Sequence, residues 1–334
     1  MLKIRLSWLA LAGSSVLFAS TLQAETTQEN FSTDPLQRGL LAFGNTNLFH
    51  WNATNGNLDV TWDSRETNSY FCLPLGTVLG KDDNFSLAFD LRLNDFTPGI
   101  DPAKTNSPFQ ISVGFIRIAD ATAPGFIRGS GYQSPNIVEF SFFPDPGGEW
   151  QWGPSLTVMF CSRTGLEWSR DGFASGALTT NDVFRIVMIY DATNQVMNTE
   201  IQRNGEAFVT VPPAILDMNF TDFRVDAVAV CSYSDVGQWP GYEGSILAHG
   251  SVDNFVVTLP PLPVGNVSGG FNAGVWQVQF TSRSNWLCTL ERTADFSTWV
   301  EASPAESGNG ATLVLQDTNA PADKAFYRIR AERP

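Results

Sequence analysis

The stretch "YDATNQVMNTEIQRNGEAFV", Tyr190 to Val209, decides the fold. A strand ends at Tyr190, and Asp191 to Asn194 are turn formers. A second strand follows from about Val196 to Gln202. Asn204-Gly205 is a dipeptide that accepts positive φ at both centres of a two-residue hairpin, which returns the chain into Ala207 to Val211. Three antiparallel strands thus follow one another within a few turns of chain.

The same grammar extends on both sides. "FSLAFDLRL" places Phe85, Leu87, Phe89, Leu91 and Leu93 on one face of a strand. "FQISVGF" repeats the pattern with Phe109, Ile111, Val113 and Phe115, and "IVEFSFF" with Val138, Phe140 and Phe142. Period-two alternation of this kind marks strands with one face in a core. "DVFRIVMIY" and "FRVDAVAVCS" are more continuously apolar, as expected of strands buried on both sides or lining a cleft floor. No window after the first residues carries an apolar stripe of helical period. The chain therefore reads as all-β, and many short strands with frequent turns point to an antiparallel β-sandwich.

The first residues read differently. Lys3 and Arg5 precede an apolar run from Leu6 to Phe18, too short to span a bilayer comfortably, and Ala24 offers a small residue before Glu25. Residues 1–24 are expected to be a signal peptide, which makes the protein secreted, periplasmic or surface-bound, with no membrane insertion after cleavage. Without Lys3 and Arg5, 18 of the 20 basic residues face all 34 acidic ones, a formal net charge of 18 − 34 = −16. Such a surface repels phosphate backbones, which excludes nucleic acid as a natural partner. "LPPLPVGNVSGG", with three prolines and then glycines, is expected to be an interdomain linker over residues 260–270. It would separate a domain of residues 25–259 from a module of residues 271–334.

The first domain resembles the concanavalin A-like lectin/glucanase sandwiches, including laminin-G-like jelly rolls. The resemblance rests on "ENFS", "LFHWNATNGNLDVTWD", "MIYDATNQVMNTEIQRNG" and the closing "SVDNFVVTL". It implies an antiparallel jelly-roll β-sandwich and, in many members, glycan binding on the concave sheet or its rim loops. The C-terminal module, with "WLCTLERTADFSTWVEAS" and "AFYRIRAE", is similar to small fibronectin-III-like or Ig-like β-sandwich modules of secreted bacterial proteins. Trp286 and Trp299 are expected in its core.

Jelly rolls of this kind often place first and last strands side by side and bind calcium between them. Glu29 and Asp253 are the residues that would hold such a structural ion, with Asn30 or Asn254 adding neutral oxygens.

Catalytic motifs are sparse. His50 and His249 stand outside any GxSxG or HExxH pattern. The glucanase branch carries carboxylates on one strand as E-x-D-x-x-E or E-x-D-x-x-x-E. Here Glu139 matches the first position, Ser141 replaces the middle aspartate, and the third position falls on Pro144 or Asp145. Side chains two apart share a face, so Glu139 lacks its same-face carboxylate partner, and no catalytic residue is assigned. The four cysteines, Cys72, Cys161, Cys231 and Cys288, lie in apolar strand-like runs and read as buried thiols. Cys161 to Cys231 is the first pairing to expect if a bridge exists.

What remains is aromatic. Trp150 and Trp152 lie in "SFFPDPGGEWQWGP" beside Asp145 and Glu149, and Trp239 and Tyr242 lie in "DVGQWPGYEG" near Asp235 and Gln238. Tyr132 sits in a third polar loop. Rings on Gly/Pro-rich loops stack on the C–H faces of sugars, while neighbouring carboxylates take the hydroxyls. These residues point to a non-catalytic, lectin-like protein that binds a polysaccharide or other glycan. A glycoside hydrolase or polysaccharide lyase of the same fold, and a structural or adhesive surface protein, are the alternatives. If the rings instead close over the sandwich edges, they are structural.

Overall fold

A computed structural model describes residues 24–104, 111–128, 134–144, 153–236, 244–321 and 324–334. The chain divides into two compact units, Ala24–Pro260 and Pro261–Pro334.

The first unit is a two-sheet sandwich. Its strands in chain order are β1 (Glu25–Glu29), β2 (Leu41–Phe43), β3 (Phe49–Asn52), β4 (Asn57–Asp63) and β5 (Ser69–Leu79). Then come β6 (Phe85–Pro98), β7 (Ile111–Ile116), β8 (Ile137–Phe143), β9 (Ser155–Cys161) and β10 (Phe173–Ser175). The set closes with β11 (Val183–Asp191), β12 (Val196–Arg203), β13 (Glu206–Ile215), β14 (Val225–Ser232) and β15 (Ile246–Leu259). One short helix, α1 (Ile118–Ala121), precedes β8.

One sheet runs β13-β12-β11-β6-β15-β4-β3, with β1 added beside the second half of β15. The other runs β10-β9-β8-β7-β14-β5-β2. All pairings are antiparallel, and first and last strands of the unit lie together, Glu25 opposite Leu259.

The alternating residues fill the space between the sheets. Phe85, Leu87, Phe89, Leu91 and Leu93 meet Ile111, Val113, Phe115, Val138, Phe140 and Phe142 in one buried cluster. Truncating a ring such as Phe89 to alanine here would cost about 3–5 kcal/mol. The hairpin forms as its turn chemistry dictates: Asn204 and Gly205 both have positive φ, 51° and 86°. Asn204 also caps the neighbouring strand by accepting the Val183 N–H at 2.9 Å.

The two continuously apolar strands diverge. β14 is buried nearly end to end: Val228 and Val230 lie beside Phe115 and Val113 in the core, Arg128 lies against Glu139 on the outer face of the same sheet, and Asp226 accepts the Ile118 N–H at 2.8 Å. β11 instead alternates: Phe184, Ile186, Met188 and Tyr190 are buried, while Val183 and Ile189 are exposed. Its sheet turns one face to water, as antiparallel sheets commonly do, so the apolar residues on that face stay wet.

The second unit has β16 (Val264–Asn272), β17 (Val275–Ser282), β18 (Leu287–Thr293), β19 (Val300–Glu301), β20 (Glu306–Ser307), β21 (Thr312–Asp317) and β22 (Phe326–Glu332). The sheets are β16-β17-β21 and β19-β18-β20, with β22 also on β18. The 260–270 stretch expected as a linker is therefore strand from Val264 onward. Its prolines end at Pro263, and the glycines beyond keep their N–H groups for the ladder to β17. Gly269 is needed as such, since a Cβ there would stand 2.8 Å from the Trp276 ring.

Val278, Phe280, Cys288, Leu290 and Leu315 form the core of this unit. Trp286 is buried, as expected. Trp299 is not a core residue: it is half-buried, with the Arg328 guanidinium 4.1 Å above its ring.

Candidate functional site

The residues on the outer face of the seven-stranded sheet follow from the register. One rung reads Phe173, Thr157, Ser141, Ser112, Cys231, Tyr70 across β10, β9, β8, β7, β14 and β5. The next reads Met159, Glu139, Gly114, Ala229, Cys72. The face is thus polar at its middle, where an inter-sheet core would be apolar.

Glu139 stands at the centre of that face and is fully buried. Arg128 reaches it from the covering segment, its Nε donating to Oε1 at 2.7 Å and its Nη2 donating to the same oxygen. Tyr233 donates its hydroxyl to Oε2 at 2.9 Å, and the Ser141 hydroxyl lies 3.3 Å from Oε1. Ser112 and Ser141 share a further hydrogen bond of 3.0 Å. Opposite Glu139 the sheet carries Gly114, where a Cβ would come within 2.4 Å of the Glu139 Cα. Only glycine leaves room for this pairing.

Burial works against charge on Arg128, and the Glu139 carboxylate more than offsets it, so the guanidinium stays charged above its ordinary range. Burial, followed by Cys231 and Glu139, raises the Tyr233 phenol well above its usual value, so it acts as a donor and not as an anion. Burial likewise pushes the Cys72 and Cys161 thiols up to about 12. All four cysteines are buried.

Both oxygens of Glu139 are thus committed to protein donors and closed off from solvent. Retaining glycosidases need two carboxyls about 5–5.5 Å apart with access to substrate. Glu139 has Arg128, Tyr233 and Ser141 as hydrogen-bonding neighbours, which makes it an ion-pair anchor and not an acid or base.

The aromatic residues singled out in the sequence are not among those described: Asp145, Glu149, Trp150 and Trp152 fall in 145–152, Trp239 and Tyr242 in 237–243. Tyr132 and Gln238 lie outside as well. The described strands that flank them are informative. Ile111 pairs with Phe142, Ser112 with Cys231, and Phe143 with Ser155. The start of β7, the end of β8, the start of β9 and the end of β14 therefore share one end of the sheet. Lys104 and Asp235 join across this end by an ion pair of 2.6 Å. That pairing takes Asp235, expected as a rim residue, into the interior, where it is only 5% exposed.

The remaining candidates occupy other places. Glu29 is buried and accepts Arg38 Nη2 at 2.7 Å, Arg38 Nη1 at 2.6 Å and the Phe31 N–H at 2.6 Å. Asp253 accepts the Asn254 N–H, and its carboxyl is raised by burial and then by the neighbouring Asp90 and Glu29 charges. No group of three or more acidic, His or Cys side chains suited to a metal occurs among the described residues. The residues present do not fit a calcium ion here, because Arg38 already neutralises Glu29. His249 Nδ1 pairs with Asp95 at 2.8 Å on the solvent side.

Two functional-looking features escaped the sequence reading. Arg128 carried no local signal, since its partner lies 11 residues away. Trp168, half exposed at the edge of the same outer face opposite Cys161, sits in "TGLEWSRDG", a turn-rich setting like those of Trp150 and Trp239.

No family model and no curated protein matches this sequence. Among solved structures the chain is similar to peanut lectin with a nonapeptide, at 15% identity and a TM-score of 0.42, covering 72% of this chain and all of that one. It is similar to lectin II from Ulex europaeus at 10% identity and 0.44, covering 72% and 100%. It is also similar to the Lotus tetragonolobus seed lectin at 11% identity and 0.44, covering 72% and 100%.

Proposed function

We propose that this is a secreted, non-catalytic glycan-binding protein whose site is formed by Trp150, Trp152, Trp239 and Tyr242 with Asp145 and Glu149. The observation that carries the reading is the register just described: the strands flanking 145–152 and 237–243 end together at one end of the seven-stranded sheet. Residues anchored there can converge on one ligand although they are far apart in sequence. The non-catalytic part of the reading is supported by Glu139, the one residue matching the glucanase pattern, being sealed under Arg128 and Tyr233. A neutral polysaccharide is the natural ligand class for so acidic a chain.

Depletion assays on insoluble polysaccharides, run beside reducing-sugar release, test this. The expected result is saturable binding without sugar release. Each of Trp150→Ala, Trp152→Ala and Trp239→Ala should weaken binding by roughly tenfold, the equivalent of about 1.4 kcal/mol. Sugar release abolished by Glu139→Gln would establish an enzyme, and binding indifferent to all three tryptophans would remove the site.

A further inference from the structure

The outer face of the seven-stranded sheet is closed in its middle by Arg128 and Tyr233 over Glu139, but open along its edge. There β10 pairs with β9, Phe173 opposite Thr157 and Ser175 opposite Ser155. The chain before β10 meets the far end of β9, with Trp168 opposite Cys161. Residues paired across antiparallel strands share a face, and so do residues two apart on one strand. Thr157, Met159 and Cys161 stand on the face that carries Glu139, since Thr157 pairs with Ser141 and Met159 with Glu139. Trp168 and Phe173 therefore stand there as well.

Their spacing alone would not place them so. Five residues apart on a regular strand, the two rings would point to opposite faces. Their partners are only four residues apart on β9, so the segment with the rings holds one extra residue, a β-bulge. Asp171 and Gly172 form it in the left-handed region, at φ 57° and 77°. A Cβ on Gly172 would collide with the Val158 carbonyl oxygen, so only glycine serves there. The bulge keeps both rings on the outer face, where Trp168 is 49% and Phe173 40% exposed. Between them lie the half-buried Thr157 and Met159, and Ser175 beyond Phe173 is exposed. None of these five side chains carries a charge, and the nearby Arg170 is taken up by an ion pair with Asp217. The partners of the two rings are roughly 13 Å apart along β9, at the rise of an extended strand. The strip leads toward Ser155, where β9 begins just after the 145–152 segment.

We propose that this strip is an extended subsite for an uncharged polysaccharide whose sugars are joined through equatorial bonds. Separate pyranose units of one chain stack on Phe173 and Trp168, and Thr157 and Ser175 take hydroxyls beside them. Such a chain is a flat ribbon that presents its C–H faces in series, whereas an axially linked chain coils away from a flat sheet. Exposed rings serve those C–H faces, and a strip without charge offers no counter-ion to a uronate or a sulfate. The distance between the rings exceeds one pyranose, so the strip reads a length of chain and not a terminal sugar. The inference rests on the ligand class proposed above and adds to it the shape and length of the glycan.

The test titrates the full chain with the disaccharides and hexamers of β-1,4-linked glucose, xylose and mannose. One of the hexamers should bind about tenfold more tightly than its disaccharide, with no dependence on salt. Trp168→Ala and Phe173→Ala should each weaken that hexamer by about tenfold and leave the disaccharide unchanged, which also shows that they fold. Trp168→Phe, which keeps a ring, should retain most of the hexamer affinity. A Trp150→Ala/Trp152→Ala/Trp239→Ala variant should instead weaken hexamer and disaccharide alike. The strip is overturned if no hexamer binds more tightly than its disaccharide, or if both alanine variants bind the hexamer as the parent does; the rim residues would then stand alone. It is overturned as well if none of the probes binds, or if sedimentation shows a dimer that Trp168→Ala abolishes, since the rings would then serve a second copy. A triple variant that matches the parent, beside alanine variants that lose the hexamer, would remove the rim residues and uphold the strip.

Discussion

Removing Arg128 tests the claim that Glu139 is an anchor. Both side chains of the pair are completely inaccessible. In Arg128→Met the carboxylate keeps the Tyr233 hydroxyl at 2.9 Å and the Ser141 hydroxyl at 3.3 Å. Hydrogen bonds to a charged group are worth about 1.5–3 kcal/mol each at best, and neither replaces a counter-charge. Stranding one member of a buried pair costs about 3–5 kcal/mol. For a unit of this size each kcal/mol moves the thermal midpoint by roughly 2–4 °C, so a fall of about 6–20 °C is expected. Adding Glu139→Gln removes the stranded charge while leaving an acceptor for Tyr233. The double variant should therefore be more stable than Arg128→Met alone, a coupling that a cycle of single and double variants reads directly. Urea unfolding followed by tryptophan fluorescence is the assay, with an unchanged slope showing that the native state is otherwise intact. An Arg128→Met variant within about 1 kcal/mol of the parent, or losses in the double variant that merely add, would refute the reasoning.

Other outcomes follow from the same structure. The thiols of Cys72 and Cys161, raised to about 12 by burial, should resist a thiol reagent at pH 9 in the native protein and react fully in urea; rapid native labelling would contradict their placement. Hydrogen bonds from Thr179, Asn204 and Arg203 lower the Asp182 carboxyl from 3.8 to about 2. Because the folded value is depressed, its contribution is present above pH 4 and lost as pH falls through about 2. Asp182→Asn should therefore lower the midpoint at pH 7 but not near pH 2, and an equal effect at both would count against it. Calcium and chelator should leave the thermal midpoint of the parent unchanged, because Arg38 occupies Glu29; a calcium-dependent rise would reopen a site between the terminal strands.

The parts of this protein that local chemistry controls were legible in its sequence. Alternation assigned Phe85 to Leu93 and Val138 to Phe142 to a core because strand geometry sends every second side chain to one face. Asn204-Gly205 announced its hairpin because few other dipeptides accept positive φ twice. The glycines after Pro263 misled, since flexibility in an isolated segment says nothing about a strand partner supplied by Val275 to Ser282. The run from Val183 to Tyr190 misled for a related reason: whether an apolar face is covered depends on what the rest of the chain lays over it. Among the described residues Val183 and Ile189 on the outer side of β11 stay exposed, whereas Arg128 is buried against the outer face that β14 shares with Glu139. The character of Glu139 was the least legible feature. Its place on a strand, and its missing aspartate at Ser141, could be read directly. Its conversion into an ion-pair anchor depends on Arg128, 11 residues away, and Tyr233, 94 residues away. Both are brought to it only when β7, β8 and β14 pair, because a carboxylate takes its role from the charges and donors that tertiary structure sets around it.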